Sequence, residues 1–166
     1  MRRTVIGVMG GTEADEATAA LAFEVGRLIA GRGWVLLSGG RPGGVMQASV
    51  SGARAGGGLT VGVLYGDDRD DAAEGLDLVI PTGLGAARNV VNILASDVVV
   101  ACRGTGGTLS EIALTLRFGR QVVLVDFDPG AAFLDQCAAG CRWAIVADAP
   151  AAIERVEAFL REEGRA

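Results

Sequence analysis

The sequence predicts an α/β fold in which a mostly parallel, doubly wound sheet is covered by helices on both faces. Three observations predict it. The strand candidates are apolar along their whole length instead of alternating, as strands buried on both faces are. The segments between most of them carry apolar residues at helical spacing, and strand and helix alternation of this kind builds parallel sheets. Glycine-bearing turns fall where strands end and helices begin, the position where such sheets bind ligands. The architecture expected is a Rossmann-like three-layer sandwich.

Each element follows from its residues. T-V-I-G-V-M (4–9) reads as the first strand, and residues 15–30 as a helix with Ala19, Leu21, Ala22, Val25, Leu28 and Ile29 on one stripe. W-V-L-L-S (34–38) is the second strand, followed by a glycine loop and a helix over 44–55. Further strands are expected at 59–64, 78–80, 97–102, 121–125 and 143–146, with helices near 86–95, 107–118, 130–138 and 150–163. Asp148 is the predicted N-cap of the last helix, with Pro150 in its first turn. The stretch G-D-D-R-D-D-A-A-E-G (66–75) reads as a solvated loop in preference to a cation site.

Composition sets the class. With 166 residues, half of them hydrophobic, the chain is expected to form one domain over residues 1–166 with a full aliphatic core. No run approaches the length of a membrane span, and the start lacks a secretory apolar region, so a cytoplasmic protein is expected. The net charge of −5 argues against sequence-independent nucleic-acid binding. Three cysteines suit a reducing compartment; Cys137 and Cys141 are expected to share a helix face as packing residues, with no metal site. The chain has no histidine, so acid and base roles fall to Asp, Glu, Cys or Tyr65. It also has no lysine, which excludes a pyridoxal-phosphate Schiff base and a P-loop lysine.

Four glycine turns sit on one rim. Gly10, Gly11 and Thr12 follow the first strand; Ser38, Gly39, Gly40, Arg41, Gly43 and Gly44 follow the second. Residues 81–85 follow the fourth, and Arg103, Gly104, Thr105, Gly106, Gly107 and Thr108 the fifth. Glycine admits close approach of backbone to ligand, and a helix that starts there directs free amides and a positive dipole end at it. The rim is therefore predicted to bind an anion, with Arg103 and the hydroxyls of Thr105, Thr108 and Ser110 suited to phosphate. Glu111 has two readings: the capping-box partner of an N-cap Thr108, or a carboxylate facing the pocket. Arg88 opens a helix against the dipole, which points to an anion or a carboxylate close by, or to surface decoration. Asp126, ending the sixth strand, reads either as a turn cap or as a contact to a ligand edge. Val90, Val91, Ile93 and Leu94 either pack on the sheet or offer a partner surface.

R-G-T-G-G-T-L-S-E (103–111) resembles the P-G-G-x-G-T-x-x-E motif of the LONELY GUY family, nucleoside-monophosphate phosphoribohydrolases often labelled lysine decarboxylases. S-G-G-R-P-G-G-V-M (38–46) is similar to that family's G-G-G-x-x-G-L-M segment, and Arg88 precedes Glu111 at the family's spacing. Arg103 and Thr105 depart from the motif, and Asn89 replaces the lysine after the arginine. The combination with T-G-L-G-A-A-R-N (82–89) looks closer to the branch containing molybdenum-cofactor carrier proteins. The resemblance implies that the glycine loops, with Met46 and Asn89, hold a phosphate-bearing pterin or nucleotide, molybdenum cofactor being the cargo of a carrier. Its alternative is N-glycosidic hydrolysis of a nucleoside 5′-monophosphate, needing no cofactor, with Glu111 and Arg88 catalytic. It also implies a homodimer or homotetramer.

Overall fold

In the computed structural model, which describes residues 2–138 and 142–164, the apolar runs lie side by side in a single sheet. The strands are β1 (Val5–Met9), β2 (Val35–Ser38), β3 (Thr60–Leu64), β4 (Leu78–Pro81), β5 (Val98–Ala101), β6 (Gln121–Val125) and β7 (Trp143–Val146). They are all parallel, in the order β4-β3-β2-β1-β5-β6-β7. The helices are α1 (Glu16–Gly31), α2 (Gly44–Ala55), α3 (Arg88–Ala95), α4 (Gly106–Arg117), α5 (Ala131–Cys137) and α6 (Ala149–Glu162), with a 3-10 turn at Gly85–Ala87 before α3. The Rossmann-like α/β sandwich expected from the sequence is thus the observed fold.

Side chains alternate between two cores. Ile6, Val8, Val98, Val100, Val123 and Val125 face α1, α2 and α6. Val99, Ala101, Val122 and Leu124 face α3, α4 and α5. On the first face α1 and α2 meet backbone to backbone: a Cβ on Gly26 would strike the Ser49 carbonyl, and one on Gly52 the Phe23 carbonyl. Only glycine permits that approach.

In the β3–β4 crossover residues 65–77 form turns and no helix, as the loop reading of 66–75 expects. The acidic stretch has no apolar stripe to bury, so nothing would hold a helix there. Its acids serve the loop, with Asp68 Oδ1 accepting from the Asp70 amide at 3.0 Å and the Tyr65 hydroxyl donating to Asp71. Without a covering helix, Leu78 and Ile80 of β4 stay exposed.

Asp148 caps α6 as predicted, its Oδ1 accepting from the Ala151 amide at 2.9 Å. Asp148→Ala is expected to lower stability by about 1 kcal/mol, read from the urea midpoint. The apolar residues of α3 divide: Ile93 is fully buried and Val91 packs on the α3 side of the sheet, whereas Leu94 is exposed. Cys102 and Cys137 are free thiols; Cys141, and with it the predicted shared face, lies outside the described residues. No helix among the described residues is long and apolar enough to cross a membrane.

The topology fixes where a ligand can sit. From β1 the chain builds outward through β2, β3 and β4, then returns to place β5 on the other side of β1. The connections after β1 and β5 therefore leave on opposite faces and open a crevice beyond their carboxyl ends.

Candidate functional site

A cleft fills that crevice. Its walls come from Val8 and Met9 of β1, Gly10, Gly11 and Thr12 of the turn after it, and Gly39, Arg41 and Met46 around the start of α2. Arg88 and Asn89 of α3 and Thr105, Gly107, Thr108 and Glu111 at the start of α4 complete it. The turns are tied to one another. The Gly11 amide donates to the Arg103 carbonyl at 3.2 Å, and the Gly11 carbonyl accepts from the Val45 amide at 3.0 Å.

One helix start at this rim, that of α4, has no side-chain cap. α1 is capped by Asp15 and α6 by Asp148; the Arg88 amide of α3 donates to the preceding 3-10 turn and the Val45 amide of α2 to the Gly11 carbonyl, whereas α4 begins with no side-chain cap bond. First-turn amides have no acceptor within their own helix. At α4 the N-cap is Thr105, and the helix runs on through Gly106, Gly107 and Thr108. A Cβ at Gly106 or Gly107 would meet nothing within 4 Å, and both residues are exposed.

This placement decides the capping-box reading. Thr108 is inside α4 and buried, so it is not the N-cap, and Glu111 is not its reciprocal partner. Glu111 instead lines the cleft at 7% exposure, where its Oε1 accepts from Asn92 Nδ2 at 3.2 Å. Burial raises its pKa to about 7, although the Asn92 hydrogen bond and the nearby Arg88 charge both pull the other way.

Arg88 is held beside it. The side chain is 9% exposed, and its Nε has no hydrogen-bond partner. Burial lowers its pKa; Glu111 raises it in part, and the Arg41 charge adds to the lowering. A Cβ on Gly39 would come within 2.5 Å of Arg88 Nη1, so that glycine makes the room the guanidinium occupies. Arg41 leans over the Tyr65 ring, 4.8 Å from its centroid, and its buried Nε is also unpartnered. Asn89 Nδ2 donates to Ser110 Oγ at 3.2 Å.

Several predicted residues lie behind the cleft lining. Ser38 is buried and its Oγ accepts from the Gly40 amide at 3.1 Å. Gly40 packs its Cα on Gly62, Gly43 and Gly44 lead into α2, and Gly106 is the first residue of α4. Gly104 lets the turn pass against Thr108 and the Gly11 amide. Arg103 contributes its carbonyl to the rim while its side chain is exposed, near enough to Asp15 to act on its charge. Asp126 is exposed, with φ of 47° and its amide donating to the Val146 carbonyl, and lies outside the lining.

Asn92, Val8 and Met9 were missed in the sequence, and Tyr65 stood there only as a titratable residue and not as the partner of Arg41. Asn92 was detectable in principle, since it lies one helical turn beyond Arg88 and so shares its face. The approach of Tyr65 to Arg41 spans two strands and had no local signal.

Comparison with known proteins bears on the fold and the family. The structure of the molybdenum cofactor binding protein from the phototrophic bacterium Rippkaea orientalis superposes with a TM-score of 0.90 at 40% identity, covering 96% of this chain and 99% of that one. The molybdenum-cofactor carrier protein of Chlamydomonas reinhardtii gives a TM-score of 0.88 at 41% identity, covering 97% and 99%. A cytokinin riboside 5′-monophosphate phosphoribohydrolase of Mycobacterium tuberculosis is 38% identical over 97 residues, which is 55% of this chain and 50% of that protein. Residues 3–153 match the SLOG cluster4 family, which is LOG-like, and the chain belongs to that family.

Proposed function

We propose that this protein is a carrier-type binding protein for a phosphorylated small molecule, such as molybdenum cofactor or a nucleotide, held in the cleft between β1 and β5. The observation that carries the reading is Arg88: a buried guanidinium with an unpartnered Nε, lining a cleft to which the uncapped start of α4 contributes. A desolvated charged donor is costly unless something accepts from it, and a ligand anion would. Likeness to two molybdenum-cofactor proteins over nearly the whole chain supports that cargo. Molybdenum cofactor mixed with the protein is expected to co-elute on gel filtration and to be lost from Arg88→Ala. Co-elution with that variant undiminished would remove the cleft from the proposal.

The hydrolase reading has one observation in its favour, the Glu111 carboxyl beside Arg88 with its pKa near neutrality. Such a group can stabilise a cationic ribosyl centre or position water. Incubation with AMP decides this: adenine release that disappears in Glu111→Ala establishes hydrolysis, and no release leaves the carrier. We also propose self-association as a homodimer or homotetramer, for which Leu94 of α3 and the uncovered Leu78 and Ile80 of β4 offer apolar surface. Sedimentation velocity tests it, and a single monomer boundary would refute it.

A further inference from the structure

The surroundings of Glu111 suit two protonation states. Asn92 of α3 is fully buried; its Nδ2 donates to Glu111 Oε1 at 3.2 Å, and its Oδ1 is buried without a donor. The Nδ2 bond suits a carboxylate. The empty Oδ1 suits a carboxylic acid, which brings an O–H to donate, and acid and amide can then pair through two hydrogen bonds. Arg88 favours the carboxylate by its charge, although among the described residues the two form no direct ion pair. Arg88 Nε thus remains without an acceptor beside a buried acid.

Few other charges face it. Arg88 of α3 and Arg41 of the β2–α2 turn, which rests on Tyr65, line the cleft with Glu111, and guanidinium groups keep their charge across the working range of pH. β1, β5 and β6 carry no titratable side chain, and Cys102 after β5 is buried with its thiol pushed up to about 12. On α5, which packs against α4, Asp135 is exposed and Cys137 lines a separate groove with Ser110 and Leu114. An anion arriving at Arg88 would neutralise the charge that favours the Glu111 carboxylate and add one that repels it. We propose that ligand binding in this cleft is coupled to a proton on Glu111: the anion is held beside Arg88 while Glu111 is the neutral acid paired with Asn92, and it is released when Glu111 ionises. Each anion bound then takes up a proton from solvent. This is a regulation of the site proposed above and rests on its anion binding. Because the carboxyl of the empty cleft titrates at about 7, affinity is constant in acid and falls as pH rises through that value.

Inorganic sulfate is the probe, because it stays a dianion throughout this range and any pH dependence then belongs to the protein. Equilibrium dialysis of the full chain at about pH 6 and about pH 8 is expected to show wild-type binding roughly tenfold weaker at the higher pH, and Glu111→Gln binding equally well at both. Thermal melting checks that the variant folds. If it does not, calorimetry of the wild type at about pH 7.5 in two buffers of different ionisation heat decides: uptake of roughly half a proton or more per sulfate supports the coupling, and no uptake overturns it. Wild-type affinity that is unchanged or rises with pH overturns the coupling and leaves the anion binding standing. A decline that persists in E111Q, or a folded E111Q that binds no sulfate at the lower pH, overturns Glu111 as the switch. No sulfate on the wild type at either pH overturns both the coupling and the anion-binding reading beneath it.

Discussion

Replacing Glu111 by glutamine is expected to stabilise the protein at pH 8 by roughly 3 kcal/mol and to leave stability unchanged at pH 4. The carboxyl titrates near its ordinary value of 4.5 in the unfolded chain and at about 7 in the folded one, chiefly because burial penalises its charge. Between those values the folded state binds the extra proton. Stability therefore falls as pH rises through this window, and the penalty is complete above pH 7. Glutamine keeps an acceptor for Asn92 Nδ2 and carries no charge, so it removes the penalty where the acid would be ionised and matches the acid where it is protonated. Urea midpoints of the two proteins across pH 4 to 8 measure the divergence. Parallel curves would mean that Glu111 is solvated or fully compensated. A protein that retains a destabilising carboxylate in a cleft is giving up stability at a site of function, and this connects the energetics to the ligand.

Gly39→Ala should separate function from folding. The added methyl meets Arg88 Nη1 at 2.5 Å and Met46 Sδ at 2.7 Å, the ends of two flexible side chains and no backbone. Both can turn aside, so the melting temperature is expected to change little. The guanidinium cannot then stay where Gly39 allows it. Loss of a charged hydrogen bond to the ligand is worth about 1.5 to 3 kcal/mol, and the affinity for molybdenum cofactor or inorganic phosphate should fall roughly tenfold to a hundredfold. Gel filtration with the cofactor, or phosphate dialysis, reads the change. Undiminished binding would show that Arg88 makes no contact from its present position.

Much of this was legible in the chain. Strands such as D-V-V-V-A are apolar on both faces because both faces are buried, and the helix stripes of α1 and α6 follow from the same requirement; element ends differ from expectation by a residue or two. The 66–75 stretch was readable as a polar loop, because its acids leave no apolar stripe for a helix to bury. At the site, the glycines and Arg88 could be named from spacing. The capping-box reading of T-L-S-E failed because it puts the N-cap at Thr108, three residues after the N-cap the helix has at Thr105. Local sequence does not say where a helix with two leading glycines begins, and the start at Gly106 places Thr108 inside it.

Sequence by itself determined the layer architecture, the rim on which the cleft opens and the residue types available there: arginine in place of lysine, no histidine, and glycine at strand ends. Those are properties of periodicity and composition, which short stretches of chain carry. Tertiary structure alone decided that Glu111 is desolvated against Asn92, that Arg41 rests on Tyr65 beside Arg88, and that Arg103 is exposed and outside the cleft lining. Burial and charge proximity depend on strand order, and residues far apart in the chain acquire their chemistry only when β1 and β5 become neighbours.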